Sequence, residues 1–169
     1  MDGFRAIAYV RPEAAELVSR RGIAYKSFRE LRDSMPQLGC RAVLDEEIVS
    51  LDEAGSPRFY DLLRRRGLPA FYAFDILWLD GRDLRDEPLL ERKRILNRIA
   101  GEHPRILIAQ HIAGQGTGLF RAVCENDLEG IVAKWKQGSY GENWFKVLNP
   151  DYSQRAGRDE LFKARGTAA

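Results

Sequence analysis

The sequence predicts an α+β domain with mostly antiparallel sheet. Three observations carry this. The chain has 169 residues, 44% of them hydrophobic, which suits one well-filled core. Most apolar runs are short, rich in β-branched or aromatic residues and bounded by Gly, Pro or Asp. A few segments instead show helical spacing, and they fall between the strands without a regular β-α alternation.

Phe4 to Val10 reads as a buried strand, and after a turn at Pro12 the stretch around Glu16 to Ser19 returns beside it. Ser27 and Glu30 have the spacing of a capping box, which predicts a short helix through Ser34 that Pro36 and Gly39 end. Ala42 to Leu51 alternates as a strand, Asp52 to Pro57 supplies turn residues, and Phe59 to Arg65 forms a short helix. Ala70 to Leu79 is the most apolar segment and reads as a central strand closed by Asp80-Gly81, with Asp75 its one interior charge. Pro88 sits near the first turn of a helix whose Leu90, Ile95, Leu96 and Ile99 form an apolar stripe, with Arg92, Lys93, Arg94 and Arg98 mostly turned outward. Ile106 to Gln110 is a strand and Gly118 to Glu125 a helix. Ile131 to Lys134 and Trp144 to Leu148 are two further strands about a Gly-containing turn. The charged, small-residue tail after Arg158 is expected to fray.

Composition excludes several classes of function. Lys and Arg total 27 against 25 Asp and Glu, so any nucleic-acid contact must be local rather than global. Arg64-Arg65-Arg66 is the longest basic run, a pattern more typical of a solvated helix end. Cys40 and Cys124 form no CxxC pair and are not spaced with His103 and His111 as zinc ligands. No apolar run approaches the roughly 18 residues of a membrane span, and a secretory signal is not evident. A cytoplasmic location is the expectation.

Taken singly, the polar residues of these strands have plain explanations. Glu47 could face solvent by alternation, Glu129 could belong to a turn, and Lys134 and Lys146 could be strand-edge lysines that discourage aggregation. Their order is more informative. The chain presents Asp2-Gly3-x-Arg5, Ser19-Arg20-x-Gly22, Asp45-x-Glu47-Ile48-Val49, Phe74-Asp75 before Asp80-Gly81, Glu129-Gly130-Ile131-Val132-x-Lys134 and Trp144-x-Lys146 in succession. This succession resembles the nucleotidyltransferase domain of ATP-dependent DNA ligases, whose core is shared with RNA ligases and messenger-RNA capping enzymes. Phe71-Tyr72-Ala73-Phe74-Asp75 and Asn149-Pro150-Asp151-Tyr152-Ser153 look most like the bacterial and archaeal DNA ligases.

The resemblance implies three transfers at phosphorus: AMP from ATP to a lysine, from lysine to the 5′-phosphate of a DNA nick, and displacement of AMP by the nick's 3′-hydroxyl. Such transfers need cations on the phosphate oxygens and alignment of nucleophile with leaving group. Carried over, Arg5 contacts the ribose or nucleotide, Arg20 a phosphate, and Glu47 the ribose or a metal ion. Phe74 stacks on adenine, a role compatible with its also being a core ring. Glu129 is the main magnesium candidate, since Mg²⁺ takes one or two carboxylates beside phosphate oxygens and water. Lys134 and Lys146 orient the phosphates as point charges. ATP and Mg²⁺ are the implied cofactors, and nicked double-stranded DNA the partner of the full-length protein.

Three departures qualify the resemblance. The family's first motif is Lys-x-Asp-Gly-x-Arg, and Met1 stands at its first x, so the nucleophilic lysine and the strand before it would precede this sequence. The last motif commonly reads Trp-x-Lys-x-Lys, and Leu148 replaces its second lysine. After Ser153 only 16 residues remain, too few for the OB-fold that follows in a ligase. The expectation is a partial adenylation domain over residues 1–157 with a charged tail at 158–169, unable to adenylate itself alone and completed by an OB-fold or a partner chain. The alternatives are a non-catalytic, ligase-derived module that binds nucleotide or DNA, and an RNA ligase or capping-type enzyme.

Overall fold

The computed structural model describes residues 3–53, 58–64 and 66–153, which form two compact units. Of these, the larger comprises residues 3–53, 58–64, 66–111 and 135–143, and the smaller residues 112–134 and 144–153. The α+β class and the dominance of antiparallel pairing are as the sequence predicts.

In the larger unit, strands β1 (Phe4–Val10), β2 (Ala15–Ser19), β3 (Ala42–Ser50), β4 (Pro69–Leu79) and β5 (Arg82–Asp83) form an antiparallel sheet in the order β2-β1-β3-β4-β5. A short strand β6 (Ile106–Ile108) adds to β4 in parallel. Alternation in β1 sends Ala6, Ala8 and Val10 into the core, where they meet Leu44, Ile48, Phe71 and Ile76. Arg5, Ile7 and Tyr9 occupy the opposite face. Leu31 from helix α1 (Arg29–Ser34) and Met35 from the 3₁₀ turn after it help close the core, with Ile95 and Leu96 from helix α3 (Leu89–Ala100). Helix α2 (Phe59–Leu63) contributes Leu62.

Two details differ from the sequence expectation. Phe28, rather than the predicted Ser27, occupies the N-cap of α1 and provides no side-chain cap. Its ring lies 6.3 Å from that of Phe4 and 5.6 Å from that of Tyr25, so aromatic packing sets where this short helix begins. Arg92 does not face outward but is fully buried, with its guanidinium forked onto the equally buried Asp75 at 2.7 and 3.1 Å. The apolar stripe of α3 thus contains a cation because β4 supplies its counter-charge.

The strands and helices are otherwise close to expectation, with ends that move by one or two residues. The Asp80-Gly81 turn has positive φ at both residues, as a tight hairpin requires. Pairing stops at Ile108 where the sequence suggested Gln110. Part of the turn after Asp52, Arg65 and the tail beyond Arg158 fall outside the described residues. The smaller unit holds helix α4 (Gly116–Glu125) and an antiparallel pair, β7 (Gly130–Lys134) and β8 (Trp144–Leu148).

Candidate functional site

The larger unit gathers Arg5, Glu47 and Phe74 on one side of its sheet. Arg5 pairs with Glu47 across β1 and β3, so their side chains leave the same face. Gly3 makes that approach feasible: a Cβ there would lie 2.2 Å from the Ile48 carbonyl oxygen and 2.8 Å from Cγ of Glu47. The glycine of Asp-Gly-x-Arg therefore has a steric reason. Phe74 is placed by a β-bulge. Asp45 opposes Asp75 while Glu46 opposes Ala73, which leaves Phe74 as the extra residue of β4. Bulges re-aim a side chain at the point where regular pairing would direct it elsewhere. The result is a cation over an aromatic face, with Cζ of Arg5 5.6 Å from the Phe74 ring centroid.

Arg5 is held from beneath. Its Nε donates to Asp45 Oδ1 at 3.0 Å and its Nη2 to Oδ2 at 2.6 Å, a fork on a fully buried carboxylate. The bond to Asp45 is the main reason that the Arg5 pKa is raised, against the opposing effect of desolvation. Tyr140 completes the group, donating from its hydroxyl to Asp45 Oδ2 at 2.5 Å. Arg20 is exposed, one residue beyond the Ala6–Ser19 rung and thus at the Arg5 end of the β1–β2 ladder.

The smaller unit brings together Glu129, Lys134 and Lys146. Val132 pairs with Lys146 and Lys134 with Trp144, so both lysines leave one face of the β7–β8 pair. Lys146 Nζ donates to Glu129 Oε1 at 2.7 Å, and Lys134 Nζ stands 3.6 Å from the Trp144 ring centroid. Leu148 is opposite Gly130 and 43% exposed, presenting an apolar side chain where a second cation was expected. Gly130 has φ 150°, and a Cβ on it would lie 2.2 Å from the Val147 carbonyl oxygen. Gly130→Ala is therefore expected to part β7 from β8 at a cost of about 1–3 kcal/mol, measured as a lower melting temperature. An unchanged melting curve would contradict the close approach.

Among the described residues, groups of three or more His, Cys, Asp or Glu able to hold a metal ion are absent. In the smaller unit Glu129 presents one carboxylate, with Oε1 accepting from Lys146. Cys40 and Cys124 are both free thiols, and no described helix is long and apolar enough to cross a membrane.

Residues 1–147 match the family described as ATP dependent DNA ligase domain. The chain belongs to this family. Among its relatives, the SPbeta prophage-derived DNA ligase-like protein LigB of Bacillus subtilis is 31% identical, the alignment covering 90% of this chain and 60% of LigB. The multifunctional non-homologous end joining protein LigD of Mycolicibacterium smegmatis is 32% identical over 86% of this chain and 20% of its own length. The solved ligase domain of Mycobacterium tuberculosis LigD superposes with a TM-score of 0.76 at 29% identity, covering 87% of this chain and 52% of that one. A mycobacterial ligase D complexed with ATP and MES gives a TM-score of 0.73 at 28% identity. This member of the ligase family thus spans about half the length of the solved ligase domains that it matches.

Sequence reasoning singled out Arg5, Glu47 and Phe74 but missed the residues that support them. Asp45 was within reach, because it lies two residues before Glu47 and must share its face. Tyr140 left no such signal, since its partner Asp45 is 95 residues away in the chain.

Proposed function

We propose that this chain is the nucleotide-binding part of an ATP-dependent DNA ligase that joins nicks in double-stranded DNA, acting in the cytoplasm in DNA repair and recombination. The observation that carries the reading is the Arg5 guanidinium, forked onto buried Asp45 and set over the bulged Phe74 ring. Such an arrangement offers a ribose or phosphate a charged donor whose orientation is already fixed, and offers adenine an aromatic face. Glu47 emerges beside Arg5 for the ribose or a metal-bound water, and Arg20 supplies a further cation toward phosphate. In the smaller unit, Lys134 and Lys146 neutralise phosphate oxygens, and Glu129 would hold Mg²⁺ together with those oxygens. When bound, Mg²⁺ supplies charge neutralisation on the leaving pyrophosphate. If an incoming phosphate drew Lys146 away, the Glu129 oxygen that it now engages would be available to a metal ion.

The family's attacking lysine is not among these 169 residues, so the chain incubated with α-labelled ATP and Mg²⁺ is expected to remain unlabelled. Extension with a strand ending in Lys immediately before Met1 is expected to produce the covalent adenylate. Calorimetry tests nucleotide binding independently of adenylation. AMP should bind the chain, Phe74→Ala should weaken it about tenfold, and Mg²⁺ should tighten ATP but not AMP. Equal AMP affinity for the parent and Phe74→Ala chains would remove the stacking role. An extended chain that still takes no label would favour a nucleotide-binding module without catalysis.

A further inference from the structure

We propose that Tyr140 is a positioning residue for Arg5, setting the orientation in which that guanidinium meets the nucleotide. This rests on the reading of Arg5 as a nucleotide contact. An arginine side chain that is 42% exposed has many rotamers to lose, and two bonds to one carboxylate fix it only if the carboxylate itself cannot turn. Tyr140 stops that rotation. Its hydroxyl donates to Asp45 Oδ2 at 2.5 Å and receives Arg5 Nη2 at 3.3 Å, closing a three-membered group of guanidinium, carboxylate and phenol. Burial, then the neighbouring Asp45 carboxylate, raises the phenol pKa well above its ordinary value, so the donor proton stays on Tyr140 at every working pH.

Tyr140 is itself rigidly held. Its own N–H donates to the Arg85 carbonyl at 2.7 Å. The Leu89 and Leu90 N–H groups, which begin α3 and lack helical partners, donate to the Gly138 and Lys136 carbonyls at 3.1 and 3.2 Å. The Arg92 guanidinium stands 5.9 Å from the Tyr140 ring centroid and also donates to the Gly138 carbonyl. Residues 135–143 are thus fastened to the large sheet and α3 at several points, and the phenol is the tip that reaches Asp45. The same segment joins β7 to β8, between Lys134 and Lys146 in sequence.

Tyr140→Phe removes the hydroxyl and keeps the ring against Arg92. The test compares the 169-residue chain, Tyr140→Phe, Asp45→Asn and Arg5→Ala by AMP calorimetry, thermal melting and the NMR signal of the Arg5 Nε–H. Tyr140→Phe is expected to melt within a few degrees of the parent, to weaken AMP about tenfold, and to lose the slow-exchanging Arg5 Nε–H signal. Asp45→Asn should do the same to a greater extent, and it carries the test if Tyr140→Phe fails to fold. If Arg5→Ala weakens AMP while Tyr140→Phe binds as tightly as the parent, the positioning role is overturned. If Arg5→Ala binds AMP as the parent does, the nucleotide reading of Arg5 fails. The Nε–H signal then decides the rest: its retention in Tyr140→Phe overturns control of Arg5 by Tyr140, and its loss supports it.

Discussion

Truncating Arg92 to alanine is expected to lower the free energy of unfolding by about 3–5 kcal/mol, the cost of leaving a buried partner charge uncompensated. Arg92 and Asp75 are both fully inaccessible, and the guanidinium also donates to the Glu87 and Gly138 carbonyls. Its loss therefore leaves the Asp75 charge uncompensated and the Glu87 carbonyl without this donor, while the Gly138 carbonyl keeps its bond from the Leu89 N–H. Replacing both charges, as in Asp75→Leu with Arg92→Met, should recover part of the loss, because the carboxylate no longer needs a partner. The Glu87 carbonyl would still lack the donor that Arg92 supplied, so recovery should be incomplete. Urea titration of the parent and the two variants decides it. A loss below about 1 kcal/mol for Arg92→Ala, the range of an exposed pair, would show that water reaches Asp75 when the arginine is removed.

The contrast between Arg92 and the strands shows what the sequence could and could not specify. Strand positions were legible wherever alternation, turn residues and length agreed, as in β1, β3 and β4. Both motif glycines were legible as pattern, and the structure supplies the cause, since a Cβ on either would lie 2.2 Å from a backbone carbonyl oxygen. Three features stayed hidden because each depends on a partner distant in sequence. Arg92 sits at a core-facing position of an amphipathic helix, where periodicity alone cannot tell a buried cation from a solvated one. Phe28 displaced the predicted Ser27 cap through contacts with two other rings. Phe74 owes its direction to a bulge, and a bulge breaks the very alternation from which direction is inferred. Within the candidate site, the residues that would touch a nucleotide were readable from motif order. Asp45 and Tyr140, which determine how Arg5 is presented, were not assigned.

Substitution of Glu46 by methionine is expected to stabilise the protein by about 1–3 kcal/mol, the range for relief of an unsatisfied buried polar group. Three consecutive acids occupy β3, and alternation sends Asp45 and Glu47 to the face that carries Arg5 and Glu46 to the core. There Glu46 is fully buried between Ala6 and Ala73, and neither carboxylate oxygen finds a hydrogen-bond partner among the described residues. The two small alanines leave room for the side chain without supplying a donor. Burial, reinforced by the adjacent Asp45 charge, raises the Glu46 pKa well above the ordinary carboxylate value. The sign of the pH dependence follows. The folded chain retains a proton that the unfolded chain releases, so the stability associated with Glu46 is fully present below the unfolded pKa and is lost as pH rises toward the folded one. Glu46→Met removes this proton linkage. The advantage of the variant over the parent should therefore be smallest near pH 4 and widen toward neutrality, when urea midpoints are compared across that range. A difference that stays constant with pH would mean that Glu46 does not change protonation on folding, and hence that its carboxylate reaches water or a donor in the native protein.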